Sequence, residues 1–324
     1  MCDNAPQQQL MADFSDSLPS FHEMGVSVFA NPYAGAGRAV EYLSRVQEFL
    51  RAHNIPARTA ITASADELER ATSEAISQDQ RILLAMGGDG TFQALANASF
   101  GCDVLLGILP AGGGNDFAAA LGIPSNLQAV LDGMLEYSVR RLDLVRAHTA
   151  DGKTRLYVGG GGIGLDAEAA HLATANYRHL PGRIRYVAAG LRALLEFKPP
   201  QARIEFPGSD LPPAQASCLL TAVLNTPTYG AGLRLAPEAS VDDGFLHVIQ
   251  IEDIGMLGVL RLLPRVILTG EVRSTRIRRW RATRVRLLAD PPCSFHGDGE
   301  VLGPTPVDIE ILPRAMRVLA PVVD

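Results

Sequence analysis

The sequence predicts an α/β domain on a mostly parallel sheet, followed by a second, mainly antiparallel β domain. Two observations predict the first domain. Short apolar runs alternate with helix-spaced segments from Val26 to Gly122, and three of the first four runs end in glycine-bearing turns. A third observation predicts the second domain: from about Val139 the chain turns to β-prone segments punctuated by Gly and Pro.

Val26–Asn31 reads as the first strand, followed by Pro32 and the small-residue turn Ala34-Gly35-Ala36-Gly37. Arg38–Arg51 carries Val40, Leu43, Val46, Phe49 and Leu50 at helix spacing. Ala57–Thr62 is the second strand. Ser64 or Ala65 opens the next helix, with Asp66 and Glu67 in its first turn, where carboxylates suit the helix dipole. Arg81–Met86 is the third strand, and a helix-compatible run follows from Thr91 to Ser99. Val104–Leu109 is the fourth, followed by Pro110-Ala111-Gly112-Gly113-Gly114-Asn115-Asp116 and a helix from Phe117 that ends at Gly122, with Pro124 beyond.

In the second domain, strands are expected over Val139–Thr149, Arg155–Gly162, Ala202–Phe206, Ser217–Leu224, Phe245–Ile251, Ser274–Arg281, Thr283–Leu288 and Val307–Leu312. Helical stretches are expected over Asp166–Phe197, broken near Pro181 and Gly182, and over Ile254–Thr269. The first 24 residues are polar and read as a flexible tail, with Met24 an alternative start.

The composition is that of a globular protein: 324 residues, 47% hydrophobic and 20% charged, enough for two cores. No apolar run approaches the roughly 18 to 20 residues of a spanning helix. A formal charge of −6 argues against a general nucleic-acid binder. Cys2, Cys102, Cys218 and Cys293 lie far apart with no metal-ligand spacing, and no export signal precedes them, so unpaired thiols in a reducing cytoplasm are expected.

The turn Gly87-Gly88-Asp89-Gly90-Thr91 carries the chemistry. Glycines there let a bulky anion approach the main chain, and the N–H groups of the turn and helix start favour phosphate. Asp89 repels phosphate, so it suits a magnesium ion or a hydroxyl proton beside it. Far downstream, Asp298-Gly299-Glu300 supplies a carboxylate pair, with the intervening Gly299 favouring a turn. Arg273, Arg276, Arg278, Arg279, Arg281, Arg284 and Arg286 crowd around Trp280, which suits either an interfacial anchor or a solvated sheet face. Leu191, Leu194 and Leu195 form a stripe better suited to core packing, and Gly159–Gly162 suits either a bulged strand or a cleft wall.

Taken together, the motifs resemble the diacylglycerol kinase catalytic domain family, the bacterial soluble lipid kinases related to sphingosine kinases and NAD kinases. The pieces are Asn31-Pro32-Tyr33-Ala34-Gly35, Gly87–Thr91, Pro110–Ala118, Gly160–Ala167, Tyr229-Gly230-Ala231-Gly232, Ala236-Pro237 leading to Asp242-Asp243-Gly244, and Asp298-Gly299-Glu300. They stand in the family's order from Val26 to the C-terminus. The family usually has a threonine where Gly113 stands, so one phosphate-holding hydroxyl is missing here.

The resemblance implies a Rossmann-like α/β domain of the NAD kinase/diacylglycerol kinase type over residues 25–138, rejoined by 313–324. A β-sandwich lipid-substrate domain would occupy 139–312. ATP contacts would fall on Asn31, Thr62, Gly87, Gly88, Asp89, Gly90, Thr91, Phe92, Gln93, Gly112, Gly113, Asn115 and Asp116. Glu300 would be the catalytic base with Asp298 beside it, and Asp89 would serve the nucleotide and its metal. A structural magnesium would take the Asp243 side chain and the carbonyls of Ser240 and Phe245.

The implied activity is ATP-dependent phosphorylation of a lipid hydroxyl, such as that of diacylglycerol, to give a phospholipid such as phosphatidic acid. The alternatives are an NAD kinase, or a non-catalytic nucleotide- or lipid-sensing relative. A cytoplasmic protein is expected, touching the inner membrane face peripherally and transiently to reach its lipid, with room for a homodimer and no nucleic-acid partner.

Overall fold

A computed structural model of the chain describes residues 21, 23–112, 115–165, 197–230, 232–255, 257–259, 261 and 274–322. Outside them lie Gly113, residues 1–20, Arg273, the leucine stripe, nearly all of the expected helix Asp166–Phe197 and most of the one over Ile254–Thr269. The end of the expected tail is anchored: Phe21 is buried, and the Met24 carbonyl accepts the Arg81 N–H at 2.8 Å. The chain divides into two compact units, Met1–Leu142 with Arg314–Asp324, and Asp143–Pro313.

The first unit runs β1 (Val26–Ala30), α1 (Arg38–Ala52), β2 (Ala57–Ile61), α2 (Ala65–Ser77), β3 (Ile82–Gly87), α3 (Asp89–Ser99), β4 (Leu105–Pro110), α4 (Asp116–Ala120) and α5 (Leu127–Gly133). Its strands lie parallel in the order β2-β1-β3-β4. The chain's last strand, β15 (Val307–Ala320), joins β4 in parallel, with Val318 opposite Leu106. Every residue of β1, β3 and β4 is buried, which is why these strands read as continuous apolar runs rather than alternating ones. Helix α1 buries Ala39, Leu43, Val46 and Leu50 along one stripe. The Ser64 hydroxyl accepts the Glu67 N–H and starts α2. Helix α5 lies outside the expected elements; Asn126 caps it by accepting the N–H groups of Gln128 and Ala129.

Strand order reverses between β1 and β3, because β2 lies on one side of β1 while β3 and β4 continue on the other. Open parallel sheets leave a crevice at such a switch point, outside the carboxyl ends of the strands. The turns after β1, β3 and β4 all begin there.

The second unit takes up the chain within β5 (Ser138–Thr149) and continues with β6 (Thr154–Tyr157), β7 (Gly160–Gly164), β8 (Gln201–Glu205), β9 (Ala214–Leu224) and β10 (Leu246–Glu252). It is completed by β11 (Ile277–Ala282), β12 (Arg284–Asp290), β13 (Ser294–Gly297), β14 (Glu300–Pro304) and the first part of β15. Its ladders are antiparallel, in the order β14-β13-β7-β9-β8-β12-β15, with β10 and β11 branching from β9. One apolar cluster gathers around Tyr157, Phe206, Leu287 and Phe295, and a second around Leu224, Leu235 and Ile249. The architecture is thus an α/β unit and an antiparallel β-sandwich.

One expectation about cysteine changes. Cys218 and Cys293 are free thiols, but Cys102 is disulfide-bonded. Sequence separation carried no sign of that pairing. Trp280 meets Phe206 at a tilt, with ring centroids 5.6 Å apart, and packs half-buried against the first cluster, which agrees with the sheet-face reading.

Candidate active site

In the first unit, the three turns at the switch point are tied to one another. The Asn31 N–H donates to the Met86 carbonyl at 3.0 Å, and its side-chain amide donates to Thr91 Oγ1 at 3.1 Å. The Ala111 and Gly112 N–H groups both donate to the Gly87 carbonyl, at 2.9 and 3.1 Å. The Asp89 carboxylate, 27 residues away in sequence, accepts the Asp116 N–H at 2.8 Å and the Phe117 N–H at 3.3 Å. It therefore caps α4, and both oxygens are engaged by main chain.

The glycines follow from this closeness. A Cβ on Gly87 would stand 2.2 Å from Thr91 Oγ1, and one on Gly112 would stand 2.7 Å from Gly88 Cα. On Gly112 the obstacle is backbone, which cannot rotate away. Gly112→Ala should therefore spread the turns and weaken nucleotide affinity by about tenfold or more, the equivalent of ~1.4 kcal/mol. Equilibrium dialysis with a labelled nucleotide reads this directly, and wild-type affinity would show that the turns have slack.

The structure gathers Asn31, Gly87, Gly88, Asp89, Gly90, Thr91, Gly112, Asn115 and Asp116 in these turns, with Thr62 beside them through its N–H on the Ala30 carbonyl. Asn115 donates to the Gly112 carbonyl, while its buried Oδ1 has no partner among the described residues. Gln93 is buried two positions past Thr91 on the same helix. The Phe92 side chain stands apart from this gathering: it is fully buried and stacks on Phe117 at 5.1 Å, so it supports the turn from the packed side of α3. Arg38 was passed over in the sequence as one of the positions between apolar residues. It is exposed, and its Nε donates to the Gly35 carbonyl at 3.0 Å, which brings a cation to the turn after β1.

In the second unit, Asp298 and Gly299 are the two central residues of the β13–β14 hairpin, both at positive φ (49° and 88°). Asp-Gly is a preferred pair for such a turn. The Asp298 side chain does not face solvent. Its carboxylate accepts the N–H groups of Val158, Gly159 and Gly160 at 2.7, 2.9 and 3.1 Å. From the other side, Asn225 donates its side-chain amide to the Val158 carbonyl and its N–H to the Gly159 carbonyl. The glycine run itself is closely packed: a Cβ on Gly160 or Gly161 would meet Tyr229, Leu224 or Phe295 within 2.7 Å. It is a buried strand segment, not an open wall. Glu300 follows the turn at the start of β14. It is exposed, yet neighbouring protein partly desolvates its carboxyl and pushes the pKa up.

The turn that carries Asp243 does not fit a magnesium ion as placed. Oδ1 accepts the Phe245 N–H at 2.9 Å, and Oδ2 lies 2.9 Å from His247 Nε2 and 3.6 Å from the Arg281 guanidinium. The Ser240 carbonyl accepts the Asp243 N–H. Among the described residues, no group of three or more acidic, His or Cys side chains could hold a metal. The arginines near Trp280 are likewise engaged: Arg276 and Arg278 with Glu252, Arg281 with Asp243, Arg284 with Glu310, and Arg286 with Asp308.

Comparison with known proteins bears on both units. Residues 25–147 match the diacylglycerol kinase catalytic domain, and residues 161–320 match the YegS C-terminal NAD kinase beta sandwich-like domain. The chain thus carries a diacylglycerol kinase catalytic domain followed by a YegS-type C-terminal domain. It is a kinase, and relatives match it over nearly their full length. A diacylglycerol kinase of Mycobacterium tuberculosis is 28% identical over 93% of this chain and 96% of its own. One from Bacillus subtilis is 25% identical over 91% and 95%. The fold matches a solved diacylglycerol kinase from Bacillus anthracis with a TM-score of 0.69, 19% identity, and coverage of 92% and 97%.

Proposed function

We propose that the protein transfers the γ-phosphate of ATP to the hydroxyl of a membrane lipid, with diacylglycerol as the acceptor and phosphatidic acid as the product. The observation that carries this reading is the interlocked set of turns at the switch point, where Asn31, Thr91 and Asp89 fix three backbone segments around the N-terminus of α3. Phosphoryl transfer asks the protein mainly for positioning and charge stabilisation. In this reading the turns cradle the phosphates, and Arg38 offsets their charge. Glu300 takes the proton of the acceptor hydroxyl, and Asp298 holds the hairpin that presents it. Magnesium enters only as the counter-ion of the nucleotide, which keeps most of its ligands as phosphate and water.

No helix among the described residues is long and apolar enough to cross a membrane, so the lipid is met by peripheral contact in this reading. The test is a labelled-ATP assay against diacylglycerol, monoacylglycerol, ceramide, sphingosine and NAD. Label on diacylglycerol is the expected result. Label on NAD alone would overturn the lipid assignment, and bound ATP with no transfer to any acceptor would overturn the enzymatic one.

A further inference from the structure

The turn from Ser240 to Phe245 contains a complete set of partners for its own aspartate. Asp243 is mostly buried, with its side chain 17% exposed, and both of its oxygens meet protein donors. His247, only 2% exposed, approaches Oδ2 from β10. Arg281 comes from β11, where it stands directly opposite His247, so both side chains project from one face of the sheet. The Arg281 guanidinium also lies 4.3 Å over the Phe245 ring, which fixes it against the same turn. Beneath, the Gly244 N–H donates to the carboxylate of the fully buried Asp143 at 2.7 Å.

We infer that this turn carries its own cation: Arg281, with His247, takes the place that a divalent ion would occupy, and the folded chain holds no resident magnesium there. The argument is one of charge and ligand number. A hard divalent ion takes six or more oxygen ligands and needs anionic charge to leave water. Here the carboxylate already faces a guanidinium and an imidazole, and the Ser240 carbonyl is bonded within the turn. A divalent ion beside Oδ2 would also sit against the Arg281 charge, which repels it. The aromatic face of Phe245 adds a second reason for a guanidinium, since a planar weakly hydrated cation stacks there and a hydrated metal does not. This inference does not depend on which lipid is phosphorylated.

The experiment is thermal unfolding of the full chain without nucleotide, in EDTA and in millimolar magnesium chloride, for the wild type, Asp243→Asn and Arg281→Met. The wild type is expected to melt at the same temperature in both buffers. Arg281→Met, which keeps the bulk and removes the charge, should melt lower than the wild type in EDTA. A saturable magnesium-dependent rise in the wild type that Asp243→Asn abolishes would overturn the inference. So would an Arg281→Met protein that melts no lower than the wild type in EDTA.

Discussion

Glu300→Gln is expected to lower kcat by about 10²- to 10⁴-fold, the range associated with removing a general base, while nucleotide affinity and melting temperature stay at wild-type levels. The amide keeps the size and hydrogen-bonding reach of the side chain but takes up no proton. Partial desolvation raises the Glu300 pKa, and two signs follow. A base works only as the carboxylate, so kcat/KM should fall on the acid side at a pH above the ordinary carboxylate range. For stability, a carboxyl whose folded pKa is raised helps the fold below its unfolded pKa and loses that help as pH rises through the folded pKa. At neutral pH the ionised group is therefore no asset to the fold, and the amide should melt no lower. Single-turnover kinetics and a melting curve on one preparation separate the possibilities. Near-normal turnover would remove Glu300 from the mechanism.

Two residues earlier the expected outcome is the opposite. Asp298→Ala should lose about 2 to 4 kcal/mol of stability, as expected for deleting a charged acceptor of several main-chain donors. That corresponds to a drop of roughly 5 to 10 °C in the melting temperature for a unit of this size. The physical reason is that Val158, Gly159 and Gly160 would be left with buried N–H groups and no acceptor. Turnover should fall too, because Glu300 is presented by the same hairpin. The conservative Asp298→Asn keeps one carbonyl oxygen for those donors and should recover part of both. An Asp298→Ala protein that melts normally and yet has lost turnover would place Asp298 in the chemistry instead.

Much of the first unit was legible in the sequence because its strands are buried on both faces. A run such as Ile82–Gly87 has few alternatives to a covered parallel strand, and the glycines after it announce close backbone contact. The Asp298-Gly299 turn was legible for a related reason, since the pair fits a tight hairpin. What those aspartates hold was not legible. Asp89 reaches Asp116 and Phe117, and Asp298 reaches back some 140 residues to Val158, and no local pattern encodes such partners. Trp280 stayed between two readings for a different reason: its neighbours are arginines, so the sequence shows the charge and hides the Phe206 ring on the other side. Phe92 was placed with the nucleotide by the family resemblance, although one helical step past Thr91 turns its ring into the core.

The strand β15 has a further consequence, for the order in which the molecule is made. It completes the first unit's sheet beside β4, where Val318, Leu319 and Ala320 are buried and Arg317 pairs with Asp103. A nascent chain usually folds its leading domain while the rest is still being synthesised. Here the sheet of the leading unit stays open beside β4 until β15 has been made. Until then β4 presents an open row of N–H and C=O groups, the kind of edge that pairs with strangers. A fragment cut after Leu142 would carry every phosphate turn and still lack the strand that closes their sheet.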